Sequence, residues 1–390
     1  MFFKPFLFLA GAVGIAAGVV SVEPRASSLS NAQPLAVTAP VLQSPPEAEM
    51  SQIPETPPIV VTHIALPAEV RGFYVTASTV SIARAATLFD DMKKRGANAF
   101  VLDVQDDHGM LAFSPTDATL TAYAESRPLM RHLDTLLADL GDAGWYRIAR
   151  IVVMRNATLA EKNPASAIHR GDGALWHDRR GSPWMDPASP VVGDSVIAIA
   201  REMYARGFDE VQFDYVRFPT EGAGQIVFPV MKKEETRREV MGRFWKKVGG
   251  TLHDEHIPVS FDFFGTVFWS ERDRETTGQY PADIFSYADF ISPMVYPSHY
   301  APGFLKYKNP ALYPSEVVGE SLARAPADFG VTADEAARKI RPWLQNFDLG
   351  AVYTAEKIEA QIKAARDNHS SGWLLWNARN VYRAAEYVSR

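Results

Sequence analysis

From Val70 onward, short apolar runs alternate with amphipathic segments, and this alternation limits the fold more than any other feature of the chain. The runs fall at 70–77 (VRGFYVTA), 97–104 (ANAFVLDV), 147–154 (RIARIVVM), 210–215, 258–263 (PVSFDF), 290–296 (FISPMVY), more weakly at 340–347 (IRPWLQNF), and at 372–377 (GWLLWN). Between them the 3.6-residue period predicts helices. One starts at Ser81, with Ile82, Ala85, Ala86, Phe89 and Met92 on its apolar face, and stops at Gly96. Others fall at 129–140, 194–206, 232–254 and 355–367, with a short last one at 380–388. A long insertion, 155–192, interrupts the pattern; connections of that length are usually functional or mobile. Eight strands alternating with helices predict an α/β fold, a (β/α)8 TIM barrel. The competitor is an open doubly wound sheet, which often carries a glycine-rich phosphate loop after its first strand. Here that strand ends in YVTAST, with no G-x-G-x-x-G and no Walker motif, which favours the barrel.

What precedes the barrel has a different character. Lys4 is followed by PFLFLAGAVGIAAGVVSV, residues 5–22. A short positive stretch and an apolar run of this kind predict an export signal, or, since no A-x-A site follows, an uncleaved membrane anchor. Residues 23–66 are rich in Pro, Ser, Ala and Glu and hold no period, so they read as a disordered linker. The barrel is expected over 67–390, in a protein that is exported: periplasmic, secreted or anchored to the outer face of a membrane.

Composition removes several function classes. The net charge is -6, with Lys+Arg 40 against Asp+Glu 46 and no long basic stripe, which argues against a nucleic-acid partner. There is no cysteine, so neither a disulfide framework nor a thiolate metal site is available. No H-E-x-x-H and no G-x-S-x-G occurs, and His108 and His299 are lone histidines far apart in sequence. No metal and no cofactor is expected.

In a barrel of this type the reacting groups sit at the carboxyl ends of the strands. The fourth run ends in a carboxylate, Asp214, followed at once by an aromatic, an arginine and a proline: 209–219 reads DEVQFDYVRFP. A charge at the exit of a buried strand needs a reason, because an unpaired buried carboxylate is costly. An internal echo adds to it. KRGANAFVLD and ARGFDEVQFD both pass from a helix end at Gly96 or Gly207 to an aspartate seven residues later, Asp103 or Asp214. The fifth strand ends at Asp262. The opposite strand ends read as much less polar.

Glycoside hydrolysis needs two carboxyl groups of different proton affinity, one to protonate the leaving oxygen and one ionised. Asp214 and Asp262, on neighbouring strands, can approach and repel, which would raise one pKa. The expected roles are Asp214 as nucleophile or general base, Asp262 as general acid and Asp103 as a third carboxylate that orients substrate or tunes the pair. Tyr74, Arg155, Trp184, Asp186, Arg217, Trp269, Tyr296, Gln345, Trp376 and Asn377 are the candidate sugar-binding wall: ring faces pack on sugar C–H faces and amides bond hydroxyls. Plainer roles are open for each: an Asp214–Arg217 structural ion pair, an Asp262 that only caps its loop, and tryptophans that are core.

The runs VRGFYVTA, NAFVLDVQDDHG, WMDP, GFDEVQFDYVRFP, SFDFFG and ISPMVYPSHY resemble the putative glycosyl hydrolase domain family, over about residues 68–380. The resemblance implies a (β/α)8 fold and carbohydrate hydrolysis. In the amylase-like barrels to which that family is distantly similar, an Asp ending strand four is the nucleophile, which matches Asp214. Their acid is a Glu ending strand five; here that place carries Asp262, with Glu271 farther along. Two other readings stay open from sequence: a non-catalytic carbohydrate-binding barrel of the cell envelope, and a metal-dependent hydrolase or deacetylase.

Overall fold

The fold is that of a computed structural model, which describes residues 61–82, 84–221, 226–383 and 387. Eight parallel strands close into a barrel: β1 (Val70–Val75), β2 (Ala99–Asp103), β3 (Tyr146–Val152), β4 (Glu210–Asp214), β5 (Val259–Phe264), β6 (Phe290–Met294), β7 (Trp343–Gln345) and β8 (Gly372–Trp376). They run in chain order, and β8 pairs back onto β1. That closure is tight. Gly372 has φ 143°, and a Cβ there would lie 2.1 Å from the carbonyl oxygen of Val70, so only glycine lets the two strands meet. The expected (β/α)8 barrel is therefore present. The seventh strand is shorter than the sequence indicates because the 340–347 run supplies only Trp343–Gln345 to the ladder.

The helical shell comprises α1 (Arg84–Lys94), α2 (Leu133–Asp142), α3 (Pro190–Ala205), α4 (Arg237–Asp254), α5 (Pro314–Phe329) and α6 (Ala355–Asp367), with shorter turns between. Their ends follow local chemistry. Ser189 caps α3, with Pro190 at its first position. Thr236 and Glu239 form a reciprocal capping box on α4, which is why that helix starts at Arg237 rather than at 232. Instead of one helix from Ser81, Thr76 caps a four-residue turn, Ala77–Val80, and α1 starts only at Arg84. Residues 380–383 are not helical, and 384–386 and 388–390 lie outside the described residues.

The apolar core splits in two, as strand alternation requires. Phe73, Phe100, Ile151, Phe213, Phe261 and Phe263 face the helices, where Trp245 of α4 meets Phe261 at 5.3 Å. Val70, Tyr74, Val101, Tyr146, Ile148, Trp343 and Leu374 fill the barrel interior. That interior is not wholly apolar. Glu210 and Arg341 form an ion pair with both side chains at 0% exposure, and Ser260 Oγ (2.5 Å) and Tyr146 Oη (3.2 Å) donate to the same carboxylate. Near it, Arg147 binds Asp209 at 2.8 Å. The amino ends of the strands are thus more charged than the sequence reading holds, because each buried charge there meets a partner from another strand.

The segment 1–22 read as signal or anchor lies outside the described residues, as does the linker up to residue 60. Among the described residues no helix is long and apolar enough to cross a membrane. The end of the stretch read as linker is laid against the barrel base: Ile64 N–H donates to Asp209 (2.6 Å), Thr62 O accepts from Arg147 (2.6 Å), and His63 stacks on Tyr204 with centroids 4.0 Å apart. The loops after β3 and β4 are joined. His169–Arg170 pairs antiparallel with Ile226–Val227, and Asp186 accepts the backbone N–H groups of Val230 and Met231. The 155–192 insertion is thereby anchored to the loop beyond β4.

Candidate active site

The site grows from Arg150, which sequence reasoning did not single out. On β3, Tyr146, Ile148 and Arg150 share the inward face. In register Arg150 lies opposite Asp103 of β2, and its guanidinium reaches Asp103 Oδ1 on one side and Asp214 Oδ2 on the other, each at 2.5 Å. The two echoed aspartates therefore converge on one cation. Gly96 (φ 94°) and Gly207 (φ 110°), in the left-handed region, turn each helix into its strand, so the two βα steps are equivalent in structure as in sequence. Tyr74 Oη donates to the second oxygen of Asp103. Its ring stacks on Trp376 with centroids 4.0 Å apart, and the guanidinium of Arg150 lies over both rings, 5.2 Å from Trp376 and 5.7 Å from Tyr74.

Asp262 completes the group. It sits on the inward face of β5 at 1% exposure, its Oδ1 accepting from the indole N–H of Trp343 at 2.8 Å. Among the described residues it pairs with no cation within salt-bridge distance. Burial, and next the charge of Asp214, push its carboxyl well above the usual range; Arg150 and the Trp343 N–H only partly oppose this. Burial also raises Asp103, partly offset by Arg150 and Tyr74. Burial works against the charge of Arg150, but Asp103 and Asp214 hold it well above its ordinary value. The Tyr296 phenol packs in the barrel interior with Tyr74 and Trp343, and it is raised strongly, by burial first and then by the charges of Asp262 and Asp214.

The turn that leaves β4 is unusual. Tyr215 has φ 56°, a left-handed conformation that costs a non-glycine residue on the order of 1–3 kcal/mol, and its N–H donates to Asp214 Oδ1 at 2.5 Å. The turn carries Arg217 over the rings of Phe264 (4.3 Å), Trp184 (5.0 Å) and Tyr215 (5.4 Å). Arg217 is thus not the ion-pair partner of Asp214; Arg150 is. Arg155 binds Asp178 at 2.8 Å and lies 5.7 Å from the Tyr215 ring, while Trp184 Nε1 donates to the same Asp178 carboxylate at 3.1 Å.

The structure thus gathers Asp103, Asp214, Asp262, Tyr74, Tyr296 and Trp376, and sets Arg155, Trp184 and Arg217 around the turn after Asp214. Four other candidates are engaged elsewhere. Trp269 donates to Ser321 Oγ (3.1 Å) and packs on Phe304 and Arg324, against α5, because the loop after β5 folds outward there. Gln345 accepts from Ser298 N–H and donates to Phe347 O, bracing two loops. Asn377 donates to Asn346 O and Val381 O. Asp186, at 0% exposure, spends its oxygens on the backbone N–H groups of Ala188, Val230 and Met231. Glu271 lies in the first turn of a short helix, its side chain 61% exposed and 3.4 Å from Arg274, so Asp262 alone occupies the strand-five position. No group of three or more His, Asp or Glu among the described residues is arranged to hold a metal ion. Two signals for the missed residues were present. RIARIVV alternates so that Arg150 falls on the inward face with Ile148, and Trp343 is the inward residue of IRPWLQ beside Arg341.

A closed parallel barrel that gathers Asp103, Arg150, Asp214 and Asp262 at the carboxyl ends of its strands has the (β/α)8 architecture, with one site built from several strands. The family follows from sequence: the model described as "Putative glycosyl hydrolase domain" matches residues 72–382, and the chain belongs to that family. Comparison with curated proteins gave no match. Among solved structures, the glycoside hydrolase domain of PgaB (BpsB) from Bordetella bronchiseptica aligns with TM-score 0.57 and 14% identity, over 80% of this chain and 95% of that one. The catalytic domain of β-amylase from Paenibacillus polymyxa aligns with TM-score 0.51 and 10% identity, over 81% and 94%. A hypothetical protein from Ruminiclostridium thermocellum ATCC 27405 shares 26% identity over 49% of this chain and 96% of its own, with TM-score 0.42. The fold is therefore that of glycoside hydrolases.

Proposed function

We propose that the protein is an exported glycoside hydrolase that cleaves glycosidic bonds of an extracellular or envelope polysaccharide. The observation that carries this reading is the asymmetry of Asp214 and Asp262. Adjacent strands present two carboxyl groups, one bound to a guanidinium and the other buried, without an ion-pair partner among the described residues and biased towards its protonated form. That is the division of labour hydrolysis requires. Asp262 gives its proton to the leaving glycosidic oxygen as the C–O bond breaks. Asp214 attacks the anomeric carbon, or takes the proton of the water that does. Asp103 acts through Arg150, sharing the guanidinium and so fixing where the Asp214 carboxylate points. A barrel meant only to bind sugar would not need two carboxyl groups of opposed character. Trp376 and Tyr296 supply ring surface beside the pair. The apolar run at 5–22 supports export.

The direct test is reducing-sugar release by the purified protein across a panel of bacterial envelope and matrix polysaccharides. At least one is expected to be cleaved; cleavage of none by a folded protein would contradict the reading. Once a substrate is in hand, Trp343→Phe tests the acid. The indole N–H favours ionised Asp262, so its loss raises the carboxyl pKa further. The alkaline limb of kcat/KM, which reports loss of the acid's proton, is then expected to move to higher pH. A limb that stays put or moves down would show that Asp262 is not the group titrating.

A further inference from the structure

Arg217 is a buried cation that the mechanism above does not use. The residue is 8% exposed. Among the described residues it has no carboxylate within ion-pair distance, and its one hydrogen bond goes from Nη1 to Phe218 O at 3.0 Å. Withdrawing a guanidinium from water without an anion is costly, and burial does pull its pKa below the ordinary value. What surrounds it is aromatic: Phe264 at 4.3 Å, Trp184 at 5.0 Å and Tyr215 at 5.4 Å. Ring faces offset part of that cost and hold the guanidinium plane in place, but among the described residues they leave most of its N–H groups without a protein acceptor.

Position gives this cation a use. Phe264 follows Asp262 by two residues on the inward face of β5, and Tyr215 follows Asp214 directly. Both rings are half-buried and stand at the mouth of the barrel. Arg217 therefore sits over the tips of the two strands that carry the proposed acid and its partner. A guanidinium presents a planar fork matched to a carboxylate, and one already desolvated and preoriented pays little more to bind it.

We infer that Arg217 binds a carboxylate of the substrate next to the scissile bond, so that the substrate class is an acidic polysaccharide carrying uronic-acid-type sugars. This rests on the carbohydrate reading of the same site. It also assigns the strained turn at Tyr215 a purpose: it holds Arg217 above the carboxyl pair.

The experiment uses the full chain with Asp262→Asn, so that binding is read without turnover. Oligogalacturonate, oligoalginate and hyaluronan fragments are titrated calorimetrically, each beside its carboxyl-reduced neutral form. At least one acidic ligand is expected to bind about tenfold or more tighter than its neutral form, the range of a charge-assisted hydrogen-bonded contact. Adding Arg217→Gln should erase the ratio, and Arg217→Lys, which keeps the charge without the fork, should retain part of it. Melting curves of each variant report whether it is folded. No acidic ligand preferred over its neutral form, or a preference that survives Arg217→Gln, would overturn the inference. So would equal weakening of both forms, the outcome expected of an Arg217 that merely offsets the surplus negative charge of the Asp103–Arg150–Asp214 group. The two readings fail separately. Arg217-dependent acidic binding with no cleavage by the native chain would sink the hydrolase and leave this inference standing. Cleavage of neutral chains without acidic preference would do the reverse.

Discussion

Asp262→Asn is expected to lower kcat/KM by about 10²–10⁴-fold on any substrate the native protein cleaves, the usual contribution of a positioned general acid. The amide keeps the size of the side chain and can still accept from Trp343 Nε1, so the loss measures the proton and not the packing. Asp214→Asn should cost at least as much, since it removes the attacking or proton-accepting oxygen. It also breaks the pair with Arg150 and leaves that guanidinium with Asp103 alone. A second readout separates chemistry from folding. The native Asp262 carboxyl titrates well above the unfolded one, so between those two values the unfolded chain has already lost a proton that the folded chain keeps. Over that window stability falls as pH rises. Asp262→Asn removes this loss, so the variant is expected to overtake the native protein in stability on the alkaline side while being nearly inactive. Urea unfolding at acidic and alkaline pH would check it; a variant destabilised equally at both would show that the carboxyl is not held protonated.

The largest effect on stability is expected below the site. Arg341→Ala leaves Glu210 at 0% exposure with, among the described residues, only Ser260 and Tyr146 for partners. Removing one member of a buried pair costs about 3–5 kcal/mol, because the other charge stays behind. Replacing both, Glu210→Leu with Arg341→Met, should return most of that loss, since an apolar pair needs no compensation. Equilibrium denaturation of the two variants would measure this. A loss under about 1 kcal/mol for Arg341→Ala would mean that water reaches the pair and that the barrel interior is open at its base.

Much of this was legible in the chain, for identifiable reasons. The barrel showed through because strand runs and helix periods repeat with glycine punctuation, as at Gly96 and Gly207. The gathering of Asp103, Asp214 and Asp262 was legible because each lies at the carboxyl end of a β-rich run, and those ends share one mouth in a closed barrel. The helix boundaries drifted where capping overrode the apolar pattern, as at Thr236. Arg150 was obscured by Arg147 three residues earlier; only strict alternation separates the outward arginine, bound to Asp209, from the inward one. Gln345, Asn377 and Asp186 have the chemistry of sugar ligands, but loops closing over a barrel also need amide and carboxylate braces. Which use wins depends on loop paths that no residue pattern encodes. Trp269 went the same way, because an indole suits α5 as well as it suits a sugar.

The measurement that bears most directly on the paired carboxyl groups is the infrared difference spectrum of the native protein minus Asp262→Asn at neutral pH, in the carboxyl stretching region. It needs no substrate. The predicted result is a band of a protonated carboxylic acid in the native protein that the variant lacks. A carboxylate band in its place would mean that both aspartates are ionised together, leaving no proton to give to a leaving group.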